Sequence, residues 1–245
     1  MLKNFLDKIL RVGTGVEGSF RSDHYQRHNS RRLEHLASLG LNLNGSTVLE
    51  VGAGIGDHTG FFLERGCRIL STDARQDLLD ILQSRYPGVK TRRLDLENPD
   101  SAFDETFDVV YCYGVLYHLQ NPSRAIEFMS QCCLKMLLLE TCVSSGDEDA
   151  IHPCREDSAI PTQSVSGKGC RPTRRYVYNQ LKRHFSNVYL PITQPDHEEF
   201  PIDWVSLPTG GRLTRAVFIA SRTALNTPLL TWKIPMHQVR GGGET

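Results

Sequence analysis

The sequence lacks an excess of charge of either sign and lacks any long apolar run. Among its 245 residues, 28 are Lys or Arg and 28 are Asp or Glu, so the formal net charge is zero. This balance argues against a general nucleic-acid-binding protein, which usually carries a basic surplus. No stretch reaches the roughly 18 apolar residues of a membrane-spanning helix, and the N-terminal segment has charges every few positions instead of a signal-peptide apolar block. We therefore expect a cytoplasmic protein without membrane contact.

The cysteines lack the paired spacing of a metal site. There are seven, none is separated from the next by two residues, and several stand inside apolar runs where a free thiol behaves as a small hydrophobe. This usage predicts reduced thiols in a reducing compartment and no zinc centre.

The chain does contain a regular alternation of apolar strands and amphipathic helices. The predicted strands are residues 47–51, 67–73, 89–94, 107–113, 134–139, 187–190 and 215–221, with Glu140 capping the fifth. The predicted helices are residues 1–11, 23–39, 58–65, 74–86, 122–131 and 172–185. Such alternation indicates an α/β protein with a doubly wound, mostly parallel sheet.

Three regions are predicted on this pattern. Residues 1–44 form an N-terminal helical cap, residues 45–221 the main α/β domain, and residues 222–245 a frayed tail. Within the main domain, residues 143–172 and 191–214 show little periodicity and are rich in polar residues and proline. Because long irregular stretches inside a domain are usually lids or binding loops, we expect both to contact a substrate.

A glycine turn follows the first strand. Val48, Leu49 and Val51 form a short apolar run that leads into Gly52-Ala-Gly-Ile-Gly56. Glycine removes the Cβ atoms that would keep a ligand away from the backbone, and the helix that follows directs free N–H groups at the turn. The turn therefore predicts a nucleotide-like cofactor.

Acidic residues narrow the choice of cofactor. Glu50 lies within the first strand, Asp73 ends the second and Asp95 ends the third, so these ends face one crevice in an open α/β sheet. A carboxylate about 20 residues past the glycines binds ribose hydroxyls, and Asp95 is placed to accept from an adenine amino group. A nicotinamide cofactor is the alternative, but the Gly-x-Gly-x-Gly spacing differs from the Gly-x-Gly-x-x-Gly that surrounds a pyrophosphate.

Four segments resemble the class I S-adenosylmethionine-dependent methyltransferases: 48–56, 71–73, 94–96 and 107–118. The resemblance implies a seven-stranded Rossmann-like sheet with an antiparallel hairpin at one edge, and S-adenosyl-L-methionine as cofactor. It also implies roles for individual positions. By this resemblance, Gly52, Ala53 and Gly54 face the methionine moiety of the cofactor. Asp73 and Ala74 bind the ribose, and Asp95 and Leu96 bind the adenine. Tyr113 lies beside the sulfonium, and Glu50 and Gly56 complete the cofactor-binding residues.

A candidate base follows the fourth strand. Transfer to a hydroxyl requires alignment of the nucleophile and removal of a proton, and neutral imidazole suits that task near pH 7. His118, with Tyr117 beside it, is the nearest candidate, although it also fits a purely structural wall position. Some ubiquinone-pathway enzymes have Glu-x-x-Glu-His here to bind a metal, but this chain reads Gly114-Val-Leu-Tyr-His118. We therefore expect no metal.

The acceptor is predicted to be a small polar metabolite or a sugar. Candidate acceptor residues are Tyr25 and His28 near the N-terminus, and Arg171, Arg174 and His197 in polar segments after the fifth predicted strand. Residues 114–118 are also similar to a segment of enzymes that carboxymethylate the wobble uridine of tRNA. The neutral net charge gives that alternative little support, and nucleic acid is not the expected partner. A non-catalytic cofactor-binding module is a third possibility, and the sequence does not define the oligomeric state.

Overall fold

Strands and helices alternate through most of the chain. The computed structural model describes residues 16–100, 102–206 and 213–241. The strands are β1 (Thr47–Val51), β2 (Arg68–Asp73), β3 (Lys90–Arg93), β4 (Phe107–Tyr113), β5 (Cys133–Val143), β6 (Ile151–Arg155), β7 (Lys168–Pro172), β8 (Asn187–Pro191), β9 (Thr193–Pro195), β10 (Thr214–Ser221), β11 (Leu230–Thr231) and β12 (Val239–Gly241). The helices are α1 (Asp23–Ser38), α2 (Thr59–Leu63), α3 (Gln76–Arg85), α4 (Pro122–Gln131) and α5 (Arg174–Lys182). Short 3₁₀ turns span Val16–Phe20 and Leu116–His118.

Eight strands form the central sheet, in the order β11-β8-β10-β5-β4-β1-β2-β3. Strands β1 to β5 pair in parallel, whereas β10 runs antiparallel to both β5 and β8. The predicted α/β class, the mostly parallel sheet and the antiparallel edge are confirmed. Because the strand order reverses between β1 and β4, a crevice opens beyond their carboxyl ends, which is where such sheets bind ligands.

The predicted strand number is wrong by one. An eighth strand, β11, pairs Leu230 with Pro191 and Thr231 with Leu190 along the edge of β8. Two residues are too short to give a periodic pattern, so the sequence offered no signal for this strand.

The tail is also more ordered than predicted. Within 222–241, β12 pairs in parallel with β9, and Gln238 accepts a hydrogen bond from Trp204 Nε1 at 2.7 Å and donates one to Pro191 O at 2.7 Å. These long-range bonds hold a segment whose composition alone suggested fraying. The predicted helix 1–11 and the last four residues lie outside the described residues.

The stretch 143–172 contains a β-hairpin, strands β6 and β7, and is therefore not one irregular loop. β6 and β7 pair antiparallel, with Ile151 opposite Pro172 and Arg155 opposite Lys168. Proline and glycine interrupt both strands, so neither shows the alternation that predicts a strand. The stretch 191–214 likewise contains β9, and its residues 207–212 lie outside the described part.

Apolar side chains of the central strands pack on both faces of the sheet. Val110 and Leu139 belong to the cluster on one face, and Val109 and Leu138 to the cluster on the other. This double burial explains the continuous apolar runs of β4 and β5, as expected for a parallel sheet covered on both sides. Among the described residues, no helix is both long and apolar enough to cross a membrane.

A buried ionic bridge joins α1 to the sheet. The prediction that Glu140 caps β5 is wrong, because β5 continues to Val143 and Glu140 lies within the strand. One Glu140 oxygen accepts from Arg32 Nη2 of α1 at 2.5 Å, and the other accepts from Arg215 Nη1 of β10 at 3.1 Å. All three side chains are buried. An unpaired buried charge is strongly unfavourable, so each partner depends on the others.

Glu140→Gln tests this bridge. The substitution leaves Arg32 and Arg215 buried with too little negative charge, so we expect the free energy of unfolding to fall by about 3–5 kcal/mol. Glu105→Gln is the control, because Glu105 pairs with Arg92 at the surface, where ion pairs contribute little. Urea denaturation at pH 7 measures both. Equal stability of the two variants would contradict the structural role of Glu140.

Candidate functional site

A cavity of about 610 Å³ opens beyond the carboxyl ends of β1 to β4. Its volume falls within the range of small-molecule sites, about 300–1,000 Å³. Most of the residues predicted for cofactor, base and acceptor line it: Tyr25, His28, Glu50, Gly52, Ala53, Gly54, Asp73, Ala74, Asp95, Leu96, Tyr113, Tyr117, His118 and Arg171. Gly56, Arg174 and His197 are not among its lining residues.

The glycine turn forms one wall of the cavity. Gly52 and Gly54 have φ values of +67° and +54°, which side-chain-bearing residues rarely adopt. A Cβ on Gly52 would lie 2.1 Å from Val115 Cγ2, and one on Gly54 would lie 3.1 Å from the Phe20 ring. A Cβ on Gly56 would instead meet Leu82 Cγ at 2.9 Å. Gly56 therefore serves helix packing, and Gly52 and Gly54 let the backbone face the cavity.

Two carboxylates at the ends of strands, Asp73 in the last position of β2 and Asp95 after β3, line the cavity. The Asp73 oxygens accept from Gly54 N and Arg75 N, each at 2.9 Å, and burial raises the pKa of this carboxyl. Asp95 accepts from Glu97 N at 2.9 Å through Oδ1. Its other oxygen has no donor in the described part of the chain. The carboxylates are thus fixed by backbone N–H groups and keep capacity to accept from a ligand.

Glu50 lies at the base of the cavity with almost no solvent exposure. Its Oε2 accepts from Ser71 Oγ at 2.6 Å and from Thr59 Oγ1 at 2.7 Å. Burial raises the pKa of Glu50 to about 7, and the two hydroxyl bonds oppose that rise. The carboxyl therefore gains or loses its proton near neutral pH.

Aromatic rings form the floor next to Glu50. Tyr113 stacks on Tyr111 with ring centroids 4.4 Å apart, and Tyr111 Oη bonds His58 Nδ1 at 2.8 Å. Burial lowers the pKa of His58 to about 3 and raises that of Tyr113, so both groups are neutral. The Tyr113 hydroxyl and His58 Nε2 have no protein partner in the described residues.

Further unpartnered polar atoms come from α1 and from the residue after the glycine turn. Within the described chain, His28 Nε2, Asn29 Nδ2, Arg32 Nε and Asp57 Oδ2 are buried without a hydrogen bond. All four residues line the cavity. Buried polar groups are costly unless a partner satisfies them, so this concentration fits a ligand that is polar and carries charge at one end, as an amino-acid moiety does.

The opposite end of the cavity contains the candidate base. His118 Nδ1 bonds Glu156 Oε2 at 2.5 Å, and Arg171 Nη1 lies 3.5 Å from Glu156 Oε1. Next to it, Tyr117 Oη accepts from Arg215 Nη2 at 3.2 Å. Burial raises the pKa of Tyr117 to about 12, so its hydroxyl stays neutral.

The predicted acceptor residues divide between the cavity and its surroundings. Tyr25, His28 and Arg171 line it, whereas His197 packs behind His28 with ring centroids 4.8 Å apart. Arg174 points elsewhere: its guanidinium carbon lies 3.8 Å from the Trp204 ring centroid and its Nη1 donates to Pro235 O. Arg174 therefore anchors the C-terminal segment and has no contact with this cavity.

One group of side chains has metal-ligand chemistry. His24, His197 and Glu198 bring candidate ligand atoms within 4.8 Å of one another. However, Arg27 donates to both Glu198 oxygens, at 2.7 and 2.5 Å. A cation would have to displace this guanidinium, so the structure gives the group a role in tying α1 to residues 196–199.

Sequence reasoning missed several cavity residues. Arg32, Glu156, Glu199 and Arg215 all line the cavity, yet none stands in a recognisable motif. For two of them the sequence does contain an indication: Arg32 lies within an amphipathic helix, and Arg215 lies within an apolar strand. Such placement is costly unless the charge is paired.

Comparison with known proteins identifies the domain. Residues 49–135 match the family described as a methyltransferase domain. The chain is 30% identical over 120 residues to the tRNA U34 carboxymethyltransferase of Alteromonas mediterranea, covering 44% of this chain and 36% of that protein. It is 27% identical over 129 residues to the ubiquinone biosynthesis O-methyltransferase of Proteus mirabilis, covering 50% of this chain and 52% of that one. The chain thus spans between about a third and a half of these curated relatives.

A solved structure supports the fold. The N-terminal domain of EvdMO1, crystallised in the presence of SAH and D-fucose, superposes with a TM-score of 0.60 at 21% identity, covering 82% of this chain and 84% of that one. Residues 49–135 therefore match a methyltransferase domain, and the fold is Rossmann-like. The relatives named above differ in their acceptors.

Glu50→Gln tests the electrostatics of the cavity base. The folded-state pKa of about 7 exceeds the ordinary 4.5, so the folded protein binds more protons between these values and wild-type stability falls as pH rises through them. The Gln variant cannot ionise. Relative to wild type we expect it to gain roughly 3 kcal/mol between pH 4 and pH 8, measured by urea denaturation.

The control for this experiment is Glu127→Gln, which changes an exposed carboxylate on α4. A difference between Glu50→Gln and wild type that stays constant across pH would show that Glu50 ionises with an ordinary pKa.

Proposed function

We propose that the protein transfers the methyl group of S-adenosylmethionine to a hydroxyl of a small, polar, uncharged acceptor such as a sugar. The observation that carries this proposal is the joining of two sites in one cavity. One end has the glycine turn and the strand-end carboxylates, and the other has a carboxylate-bound histidine beside paired charges.

The residues at the first end fit S-adenosylmethionine. Asp95 is suited to the adenine amino group and Asp73 to the ribose hydroxyls, because each keeps acceptor capacity after its backbone bonds are made. The unpartnered atoms of Asn29, Arg32 and Asp57 match the carboxylate and ammonium of the methionine moiety. In this proposal α1, within the predicted cap 1–44, covers the cofactor.

The charges at the second end favour a neutral acceptor. Three arginines that line the cavity have carboxylate partners: Arg32 bonds Glu140, Arg215 bonds Glu140 and Glu199, and Arg171 contacts Glu156. Paired charges leave little attraction for an anion but supply adjacent donors and acceptors, which suit neighbouring hydroxyls. D-fucose in the EvdMO1 crystal agrees with a sugar acceptor.

His118 is proposed as the base and Tyr117 as its neighbour in acceptor positioning. The hydroxyl proton passes to His118 while the hydroxyl oxygen takes the methyl group in line with the departing sulfur. Imidazole performs this role without a metal, and we propose a metal-independent reaction. The cytoplasm, where reduced thiols persist, is the proposed compartment.

Transfer to a tRNA base is the second candidate. The 30% identity to tRNA U34 carboxymethyltransferases favours it, and the paired arginines weigh against a phosphate-bearing acceptor. A non-catalytic cofactor-binding module is the third. It provides no reason for a histidine held against a buried carboxylate.

Asp95→Ala tests the cofactor assignment. Losing a charged hydrogen-bond acceptor should raise the dissociation constant for S-adenosylmethionine about 10- to 100-fold in calorimetry. Asp100→Ala is a matched control, since Asp100 makes the same kind of turn with Ala102 N but does not line the cavity. Unchanged affinity in Asp95→Ala would reject the adenine site.

His118→Gln tests the reaction. Purified protein with labelled methyl donor is incubated with a sugar and metabolite fraction and, separately, with tRNA. We expect label in the first and a loss of about 10²–10⁴-fold in the variant, with unchanged cofactor affinity. His152→Gln, at an exposed position of β6, is the control. Label confined to tRNA would favour the second candidate.

A further inference from the structure

Glu156 stands where hairpin β6–β7 meets the candidate base, and no motif drew attention to it. Its side chain is only 5% exposed, although the residue follows an exposed strand. Oε2 accepts from Ser164 N at 2.8 Å and lies 2.5 Å from His118 Nδ1. Oε1 faces Arg171. A carboxylate with partners on both oxygens has one fixed orientation.

The hairpin is shaped to bring this carboxylate close to the turn that carries His118. A Cβ on Gly169 would lie 2.5 Å from Tyr117 O and 2.9 Å from Glu156 Oε1. Only glycine permits this approach, because the neighbouring backbone oxygen cannot move aside. The bond from Glu156 N to Gly167 O at 3.0 Å closes the hairpin at the same level.

The tip of the hairpin is tied to the cofactor end of the cavity. Arg75 Nη2 donates to Ser158 O at 2.8 Å and lies 3.4 Å from both Ile160 O and Gln163 O. Arg75 N also bonds Asp73, the carboxylate proposed for the ribose. The hairpin therefore spans the cavity from the proposed ribose position to His118.

The contact between Glu156 and His118 fixes which ring nitrogen carries the proton. Burial acts to raise the pKa of Glu156, but the bonds from His118 and Ser164 and the charge of Arg171 outweigh it and lower the pKa below its ordinary value. An ionised carboxylate only accepts hydrogen bonds, so the proton of the neutral imidazole sits on Nδ1. Nε2 then bears the lone pair and has no protein partner among the described residues.

We propose that Glu156 is the positioning residue for His118: it holds the ring in the Nδ1–H tautomer and directs the Nε2 lone pair at the acceptor hydroxyl. This inference rests on the proposed function, since it assigns Glu156 a part in the same reaction. It makes hairpin β6–β7 a component of the catalytic arrangement as well as a wall of the acceptor site.

The charge balance of the reaction gives Glu156 a second role. The acceptor O–H bond breaks and its proton binds His118 Nε2, while the oxygen forms a bond to the methyl carbon. The carbon–sulfur bond breaks and its electron pair stays on sulfur, so the positive charge of the sulfonium disappears as that of the imidazolium appears. Glu156 faces the new charge at hydrogen-bond distance and stabilises it, as a carboxylate does for a catalytic histidine.

The primary test reads the His118 tautomer directly and needs no acceptor. Full-length protein with ¹⁵N-labelled histidine is saturated with S-adenosylhomocysteine, and the His118 signals are assigned by their absence in His118→Gln. At a pH where the ring is neutral, we expect Nδ1–H in wild type and a shift toward Nε2–H in Glu156→Ala. Glu148→Gln, an exposed carboxylate before β6, should leave the tautomer unchanged.

Kinetics provide the second test once an acceptor is found. Glu156→Gln keeps the size of the side chain but loses its charge, so we expect kcat to fall about 10²-fold with little change in KM for S-adenosylmethionine. Glu156→Asp should recover part of the loss. A merely structural Glu156 would change KM or stability and leave both the tautomer and kcat unaffected.

Two results separate this inference from the proposed function. Nε2–H in wild type, or an unchanged tautomer in Glu156→Ala with the hairpin amides still protected from exchange, would overturn the role of Glu156. Failure of wild type to bind S-adenosylhomocysteine in calorimetry would instead overturn the proposed function. If wild type does not bind S-adenosylhomocysteine, the tautomer is measured on the unliganded protein, so the two failures remain distinguishable.

Discussion

The bridge of Arg32, Glu140 and Arg215 is the interaction on which the cavity depends. Glu140 is enclosed in β5 at the centre of the sheet, and the two arginines come from α1 and β10. A buried carboxylate requires such partners, because the desolvation of a lone charge would exceed any gain from packing. The ion pair of Arg32 with Glu140 therefore fixes where α1 lies over the carboxyl ends of the strands. That position closes the crevice into a cavity.

The same bridge sets the electrostatic character of the cavity end that is proposed to bind the acceptor. Besides its bond to Glu140, Arg215 donates hydrogen bonds to Glu199 and to the Tyr117 hydroxyl. The positive charge of Arg215 is therefore already paired within the protein. An environment of fixed, mutually paired dipoles needs little reorganisation when charge moves during a reaction. It also offers little net attraction to an anion. Both properties come from one network, which is why the charges of the pocket cannot be judged from single residues.

The parallel core could be predicted because its signals are local. The glycine turn, the apolar strands and the carboxylates at 73 and 95 each lie within a few residues of the element that positions them, and the structure brings them to one crevice. The acceptor end is built from distant residues. Arg32 and Glu140 are 108 positions apart, and His118 and Glu156 are 38 apart. Such long-range pairs leave no periodic pattern in the sequence. The hairpin that carries Glu156 was not predicted, because proline and glycine in β6 and β7 interrupt the alternation typical of strands.

This difference in construction has a consequence for specificity. The two carboxylates proposed for the cofactor are held by backbone N–H groups next to their own strands: Asp73 by Gly54 N and Arg75 N, and Asp95 by Glu97 N. The proposed acceptor end depends on side-chain contacts of α1, hairpin β6–β7 and β10, which are Arg32–Glu140, His118–Glu156 and Arg215–Glu199. Substitutions in these elements are therefore expected to alter the proposed acceptor site without disturbing the geometry of Asp73 and Asp95. Arg75 is the exception, because it bonds both Asp73 and the hairpin tip. Through it, the position of the hairpin depends on the cofactor end of the cavity.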